Sequence, residues 1–248
     1  MGKIVLVTGG SRGIGAAVCR LAARDGWDVA LTYRERVEAA ERVAEDVRAL
    51  GRRVLVMRCD ITDPRAVAAA FDQTASELGY VEALVSNAGV IHKAQPLACV
   101  PIDEIRRVIE TDLVAHIVCN REAVRRMARS RGGRGGVIVN ISSMASELKG
   151  AGGFVPYACA KAGVDVLTEG LGKEVAAEGI RVNGLRPGLI DTDMQEDTGV
   201  PERIQRFGPT VPLGRAGRPE EVAEAVVWLL SDKASYVAAT VFNVSGAR

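Results

Sequence analysis

The sequence predicts an α/β fold: one doubly wound parallel sheet of about seven strands, with helices on both faces. Short Val/Ile/Leu-rich runs alternate with stretches of helical periodicity along most of the 248 residues. The runs are apolar throughout rather than alternately apolar and polar, as strands buried on both faces require. The links are short, and strand–helix–strand repetition with short links winds right-handedly into a parallel sheet.

In chain order, the strands are expected at Ile4–Thr8, Val29–Thr32, Val54–Arg58, Ala83–Ser86, Val137–Ile141, Arg181–Leu185 and Thr240–Val244. Between them, helical periodicity covers Ile14–Arg24, Val37–Leu50, Pro64–Leu78, Ile102–Met127, Pro156–Ala177 and Pro219–Leu230. Asp63 before Pro64 is a helix start signal; Gly51 and Gly79, just past two helices, are stop signals. Two segments break the rhythm. Arg129–Gly136 is rich in Arg and Gly but has no aromatic residue for base stacking, so it reads as a solvated loop. Pro187–Pro219 is long and punctuated by Gly and Pro, and long loops in compact domains usually serve function. It is expected to form a substrate lid at about 188–218. No repeat or linker divides the chain, so residues 1–248 read as one domain.

Composition narrows the function. Hydrophobic residues at 48% and charged residues at 25% exclude a disordered chain, and a net charge of +1 gives no global field for nucleic acid or an anionic membrane. No apolar stretch reaches the length of a membrane span, and Met1-Gly2-Lys3 runs directly into the first strand. The expectation is a cytoplasmic protein that binds neither nucleic acid nor membrane. Its five cysteines are scattered without a CxxC pair, which suits small apolar fillers in a reducing compartment. His116-x-x-Cys119 lacks further ligands nearby, so no metal site is expected.

The first strand–helix junction reads Thr8-Gly9-Gly10-Ser11-Arg12-Gly13-Ile14-Gly15. Glycines there permit a tight turn and bring backbone N–H groups close to a pyrophosphate, whose charge a helix N-terminus favours. The spacing G-x-x-x-G-x-G differs from the G-x-G-x-x-G dinucleotide pattern. It resembles instead the T-G-x-x-x-G-x-G of the short-chain dehydrogenase/reductase family, and the resemblance extends along nearly the whole chain. Ser86-Asn87-Ala88-Gly89 is similar to that family's N-N-A-G, with Ser for the first Asn. Tyr157-Ala158-Cys159-Ala160-Lys161 matches Y-x-x-x-K with Ser143 upstream, and Arg186-Pro187-Gly188 matches a Pro-Gly turn after the sixth strand.

The resemblance implies a Rossmann-type domain that binds a nicotinamide dinucleotide. Its cofactor residues would be Gly9, Ser11, Arg12, Gly13, Ile14 and Gly15 in the glycine turn, and Tyr33 and Arg34 after the second strand. Further along, Asp60 and Ile61 would follow the third strand and Asn87, Ala88 and Gly89 the fourth. Tyr157 and Lys161, then Pro187, Gly188, Ile190 and Thr192, would complete the set. Tyr33 stands where NAD-binding members of the family carry Asp. Arg34 beside it and Arg12 in the turn are forked donors suited to a 2′-phosphate, while Glu35 should face solvent. NADP(H) is therefore favoured over NAD(H). Asp60 fits either a turn-capping role before Thr62-Asp63-Pro64 or the family's contact to the adenine ring.

Four residues are expected to carry the chemistry: Ser143, Tyr157, Lys161 and Asp112. Tyr157 and Lys161 lie four apart and share a helix face, where the ammonium should pull the phenol's pKa down from about 10. Ser143, at a strand end, can donate to a carbonyl oxygen; Ser142 is its rival, and the family pattern favours Ser143. The family carries an Asn, thought to hold a relay water, where Glu110-Thr111-Asp112-Leu113 places Asp112. A carboxylate there accepts from water but weakens the lysine's pull on Tyr157.

The resemblance implies an NADP(H)-dependent oxidoreductase that interconverts a ketone and a secondary alcohol, a 3-oxoacyl thioester being one candidate. A sugar or polyol dehydrogenase of the same family is an alternative. A silent NADP-binding sensor is another, though the intact Ser143–Tyr157–Lys161 set argues against it. Acyl-carrier protein is a candidate partner. Arg121, Arg125, Arg126, Arg129, Arg131 and Arg134 would serve it as a basic patch at the active-site mouth, or else form a solvated helix end. A homotetramer is implied, with Ser245 where the family often has Gly near the C-terminal contact.

Overall fold

The computed structural model describes residues 2–248; Met1, the first residue of the expected domain, lies outside them. The strands are β1 (Ile4–Val7), β2 (Asp28–Tyr33), β3 (Val54–Arg58), β4 (Ala83–Ser86), β5 (Gly136–Ile141), β6 (Ile180–Pro187) and β7 (Thr240–Val244). They form one seven-stranded sheet in the order β3-β2-β1-β4-β5-β6-β7, with every pairing parallel. All strand C-termini therefore open on one edge. The order reverses between β1 and β4, the place where open α/β sheets bind ligands.

Helices cover both faces. On one side α1 (Gly13–Arg24), α2 (Val37–Ala49) and α9 (Pro219–Leu230) pack Val18, Val43 and Val226 against Val5, Val7 and Val29. On the other, α3 (Pro64–Glu77), α5 (Ala115–Met127) and α6 (Val155–Val175) pack Phe71, Cys119 and Val175 against Leu6, Leu84 and Ile138. A smaller cluster joins α4 (Ile102–Ile109) to α6 through Val108, Tyr157 and Ala160. Asp63 caps α3 as its sequence suggests, accepting from the Arg65 N–H at 2.8 Å.

Two expectations are corrected. The single helix expected over Ile102–Met127 is interrupted by one π-helical turn at Glu110–Val114, where Thr111 and Asp112 are buried. The wider turn lets the Asp112 carboxylate reach the Val90 N–H at 3.2 Å, a tertiary contact that periodicity does not encode. The segment after β6 is not a structureless loop either. It holds the short helices α7 (Met194–Asp197) and α8 (Arg203–Phe207), and an Ile190–Gly217 bridge pinches its base. Among the described residues, no helix is long and apolar enough to cross a membrane.

Candidate active site

The turn after β1 and the segment after β4 meet at the sheet's switch point. The Thr8 hydroxyl accepts from the Asn87 and Ala88 N–H groups at 2.9 and 3.1 Å. The Asn87 side chain in turn donates to the Thr8 and Gly9 carbonyls at 2.9 and 3.2 Å. Gly9 has φ +66°, and a Cβ there would come within 2.9 Å of the Ala88 Cα. A Cβ on Gly15 would run into the Gly9 carbonyl oxygen. Both positions therefore require glycine, and the backbone is left bare at the start of α1. A cavity of about 1130 Å³ runs from this cradle along the C-terminal strand edge to Tyr157 and the α7–α8 segment. Cradle and cavity together fit a nicotinamide dinucleotide with room beyond it.

One end of the cavity is lined by Tyr33 and three guanidinium groups. Arg34 lies 3.3 Å from Asp60 and 3.7 Å from Glu35. Arg12 lies 3.6 Å from Asp197, and Arg36 is 2.9 Å from Asp193. Glu35 is exposed, as expected. Asp60 lines the cavity and also accepts from the Thr62 N–H and hydroxyl at 3.0 and 2.8 Å, so both of its expected roles remain geometrically open.

At the other end, α6 buries Tyr157 and Lys161 against the end of β5. The Lys161 ammonium donates to the Ile141 carbonyl at 3.1 Å and sits 5.7 Å from the Tyr157 ring centroid. Asp112 stands behind it, with Oδ1 3.1 Å from Nζ and both side chains buried. Ser142 is spoken for by the Lys161 carbonyl at 3.0 Å, whereas the Ser143 hydroxyl accepts from the Ala145 N–H at 3.1 Å and faces the cavity.

The electrostatics correct one expectation. Burial raises the Tyr157 phenol above its usual pKa; Lys161 pulls down, Asp112 pushes up, and Ser143 and Arg203 pull down. The lysine's pull exists but does not prevail, so at neutral pH the phenol keeps its proton. Burial also works against the Lys161 ammonium, yet Asp112 and Tyr157 hold it above the usual lysine range. His116, five residues into the helical stretch after Thr111, is fully buried. Burial and then Lys161 press its pKa down to about 3, so it is neutral. Its Nε2–H donates to the Ala88 carbonyl and its Nδ1 accepts from the Ser86 hydroxyl, each at 3.0 Å. It braces the segment after β4. Among the described residues, no group of three or more His, Cys, Asp or Glu is placed to hold a metal.

Almost every residue singled out in the sequence lines this cavity: Ser143, Tyr157 and Lys161 at one end, and the glycine turn, Tyr33, Arg34, Asp60, Ile61, Asn87–Gly89, Pro187, Gly188, Ile190 and Thr192 along its walls. Gly15 and Asp112 do not; one supports the cradle from below and the other supports Lys161. The basic patch is misplaced as an active-site feature. α5 runs antiparallel to β5, which carries its C-terminal arginines to the start of that strand, the edge opposite Ser143. There Arg126 pairs with Asp72 at 2.7 Å, and Arg121 with Glu122 at 3.1 Å. Sequence reasoning missed Arg36, His92, Phe154 and Arg203. Arg36 stood two residues from Arg34 and was readable as a third cation, but nothing local marked the other three.

Fold and site define an α/β oxidoreductase of the nicotinamide-dinucleotide type. A family model described as enoyl-(acyl-carrier-protein) reductase matches residues 9–246. The chain is 44% identical to the uncharacterized oxidoreductase YgfF of Escherichia coli strain K12, over 99% of both chains. A Burkholderia cenocepacia short-chain dehydrogenase solved with NADP is 33% identical, with TM-score 0.90 over 99% of this chain and 97% of its own. A Brucella melitensis 3-ketoacyl-(acyl-carrier-protein) reductase solved with NADH is 28% identical, also at TM-score 0.90, over 100% and 98%. The chain belongs to the short-chain dehydrogenase/reductase family, enzymes that act on CH–OH and C=O groups.

Proposed function

We propose that the protein is an NADP(H)-dependent oxidoreductase that interconverts a ketone and a secondary alcohol, with Tyr157 as acid and base. The observation that carries this reading is the cavity that joins the glycine cradle to a buried Tyr157–Lys161–Asp112 row. The glycine turn, Asp60, Ile61, Asn87–Gly89, Pro187, Gly188, Ile190 and Thr192 would hold the cofactor, and Arg12, Arg34 and Arg36 would meet a 2′-phosphate. The bound cofactor supplies or accepts the hydride.

The chain's own groups handle the oxygen. Tyr157 gives its proton to the carbonyl oxygen in reduction and takes it back in oxidation. Ser143 donates a hydrogen bond to the same oxygen and favours developing negative charge there. Lys161 stays cationic beside Asp112 and steadies the phenolate; Asp112 positions Lys161 and restrains its pull. A phenol whose pKa is raised by burial suits reduction at neutral pH. The α7–α8 segment would act as a lid that excludes water.

A 3-oxoacyl thioester is a second substrate reading, supported by the Brucella relative's name. The arginines at the opposite sheet edge would not dock its carrier at the mouth. A homotetramer agrees with the apolar side chains left exposed on α5 and α6 (Ile117, Val166), on α9 (Trp228) and on the edge strand β7 (Phe242). The family reading favours the cytoplasm.

The test is Tyr157→Phe against a ketone panel, followed at the nicotinamide absorbance band with NADPH and with NADH. Loss of turnover by about a hundredfold or more, with cofactor binding kept, is expected. Full turnover by the variant would refute the assignment.

A further inference from the structure

Eight Lys and Arg side chains line the cavity, and five of them have carboxylate partners within it or behind it. The other three, Lys93, Arg203 and Arg248, have none among the described residues, and they gather at the lid end. The Lys93 stem lies against Gly199, where an added Cβ would sit 3.2 Å from its Cγ. The neighbouring Ala94 N–H donates to Thr198 of the lid at 2.9 Å. Arg203, on α8, is half-buried, with its guanidinium carbon 4.8 Å from the Phe154 ring centroid and 5.8 Å from that of Phe207.

An independent observation points to the same place. Four buried side-chain polar atoms lack a hydrogen-bond partner among the described residues, and two of them belong to cavity residues here: Arg203 Nε and His92 Nε2. His92 packs on the same Phe154, centroids 5.7 Å apart. Its Nδ1–H donates to the Lys93 carbonyl at 2.8 Å, so Nε2 is the nitrogen left over. A cation held between two aromatic rings without a counter-ion, beside an orphaned imidazole nitrogen, is costly unless something polar completes it.

We propose that the lid end is an anion subsite and that the substrate is an oxo acid or hydroxy acid. Arg203 grips its carboxylate while the carbonyl or hydroxyl oxygen meets Tyr157. A planar guanidinium matches a carboxylate in bidentate fashion, and the Phe154 ring 4.8 Å away helps hold it in place in advance. Lys93 and Arg248 add positive field around it. Arg203 is also close enough to Tyr157 for each to act on the other's charge, so acid and ketone lie on one compact molecule. A thioester's phosphate lies at the far end of a long flexible arm and does not meet that spacing. A neutral sugar would leave Arg203 unpaired.

This inference rests on the oxidoreductase reading above, and its test separates the two. The probes are 4-oxocyclohexanecarboxylate, its methyl ester and an acetoacetyl thioester, with wild type, Arg203→Met and Arg203→Lys. The wild type should prefer the acid over both the ester and the thioester. Arg203→Met should lower kcat/KM for the acid by about ten- to a hundredfold, mostly through KM, and lower it far less for the ester, where only the charge felt by Tyr157 changes. Arg203→Lys should restore part of the loss. Calorimetric titration with unreactive cyclohexanecarboxylate in the presence of NADP should show binding by the wild type and its loss in Arg203→Met. Lys93→Met, at an exposed position that puts the fold at no risk, should weaken that binding to a smaller degree. If no probe turns over but this binding pattern holds, the anion subsite stands and the reaction reading fails. If the ketones turn over with acid and ester alike in wild type and in Arg203→Met, the subsite is refuted and the reaction reading stands. Preference for the thioester would likewise overturn the subsite.

Discussion

Replacing Asp112 by Asn removes one negative charge from a buried row and changes almost nothing else in shape. Lys161 Nζ lies 5.7 Å from the Tyr157 ring centroid. At an effective dielectric of about 20, that separation gives roughly 3 kcal/mol of attraction for the phenolate. Asp112 opposes it with a smaller effect on the phenol, so its removal should lower the Tyr157 pKa. The sign follows directly. Alcohol oxidation needs the phenolate and rises with pH through that pKa, so its rising limb moves to lower pH. Ketone reduction needs the phenol, and its falling limb moves the same way. The variant must also leave the Lys161 ammonium with only the Ile141 carbonyl, 3.1 Å away. Breaking a buried pair costs about 3–5 kcal/mol, so Tm should drop by roughly 6–20 °C. The assay is kcat/KM against pH in both directions, with thermal unfolding in parallel. At neutral pH reduction should stay level or rise. A limb that stays put or moves upward would refute the charge coupling, and a fall of more than tenfold would show that the carboxylate has a role of its own.

The remaining predictions address cofactor choice, the cradle and acid stability. Arg34→Ala should raise KM for NADPH about tenfold and leave NADH within twofold; a wild-type preference for NADH would overturn the 2′-phosphate assignment. Gly15→Ala places a methyl group against the Gly9 carbonyl and should abolish dinucleotide binding in a fluorescence titration, whereas unchanged affinity would show that the cradle yields. Asp28 is buried between Arg52 and Arg53, at 2.7 and 2.8 Å. Burial opposes its carboxylate, but the hydrogen bonds from Arg53 and the charges of both arginines hold its pKa below the usual value. Its contribution is therefore present above about pH 4 and lost as pH falls through the lower folded value. Asp28→Asn should cost about 1–3 kcal/mol at pH 7 in urea unfolding and flatten the acid limb; an unaltered limb would place acid sensitivity elsewhere.

Much of the fold was legible in the sequence because it is written in local patterns. Apolar runs such as Val5–Val7 and Ala83–Val85 need only their own composition to demand burial on both faces, and the structure pairs them in register as neighbours in the sheet. The glycine turn was legible because backbone geometry at one junction leaves few residue types to choose from. Ser143, Tyr157 and Lys161 were legible through one strand end and one helix face.

What the local pattern could not carry was decided by approach between distant segments. Asp112 and Lys161 are far apart in the chain, and only the π turn and the packing of α4 and α5 on α6 bring carboxylate and ammonium into contact. That contact, with burial, overturned the expected direction of the Tyr157 shift. The arginines after Arg121 read as a mouth patch until the direction of α5 carried them to the other edge. Arg203 sits in a segment without readable periodicity, and its meeting with Phe154 and His92 depends on how the lid folds back. Chain composition and spacing set which elements form. Desolvation and charge balance exist only between groups that folding brings together, so the chemistry of the site had to await the tertiary structure.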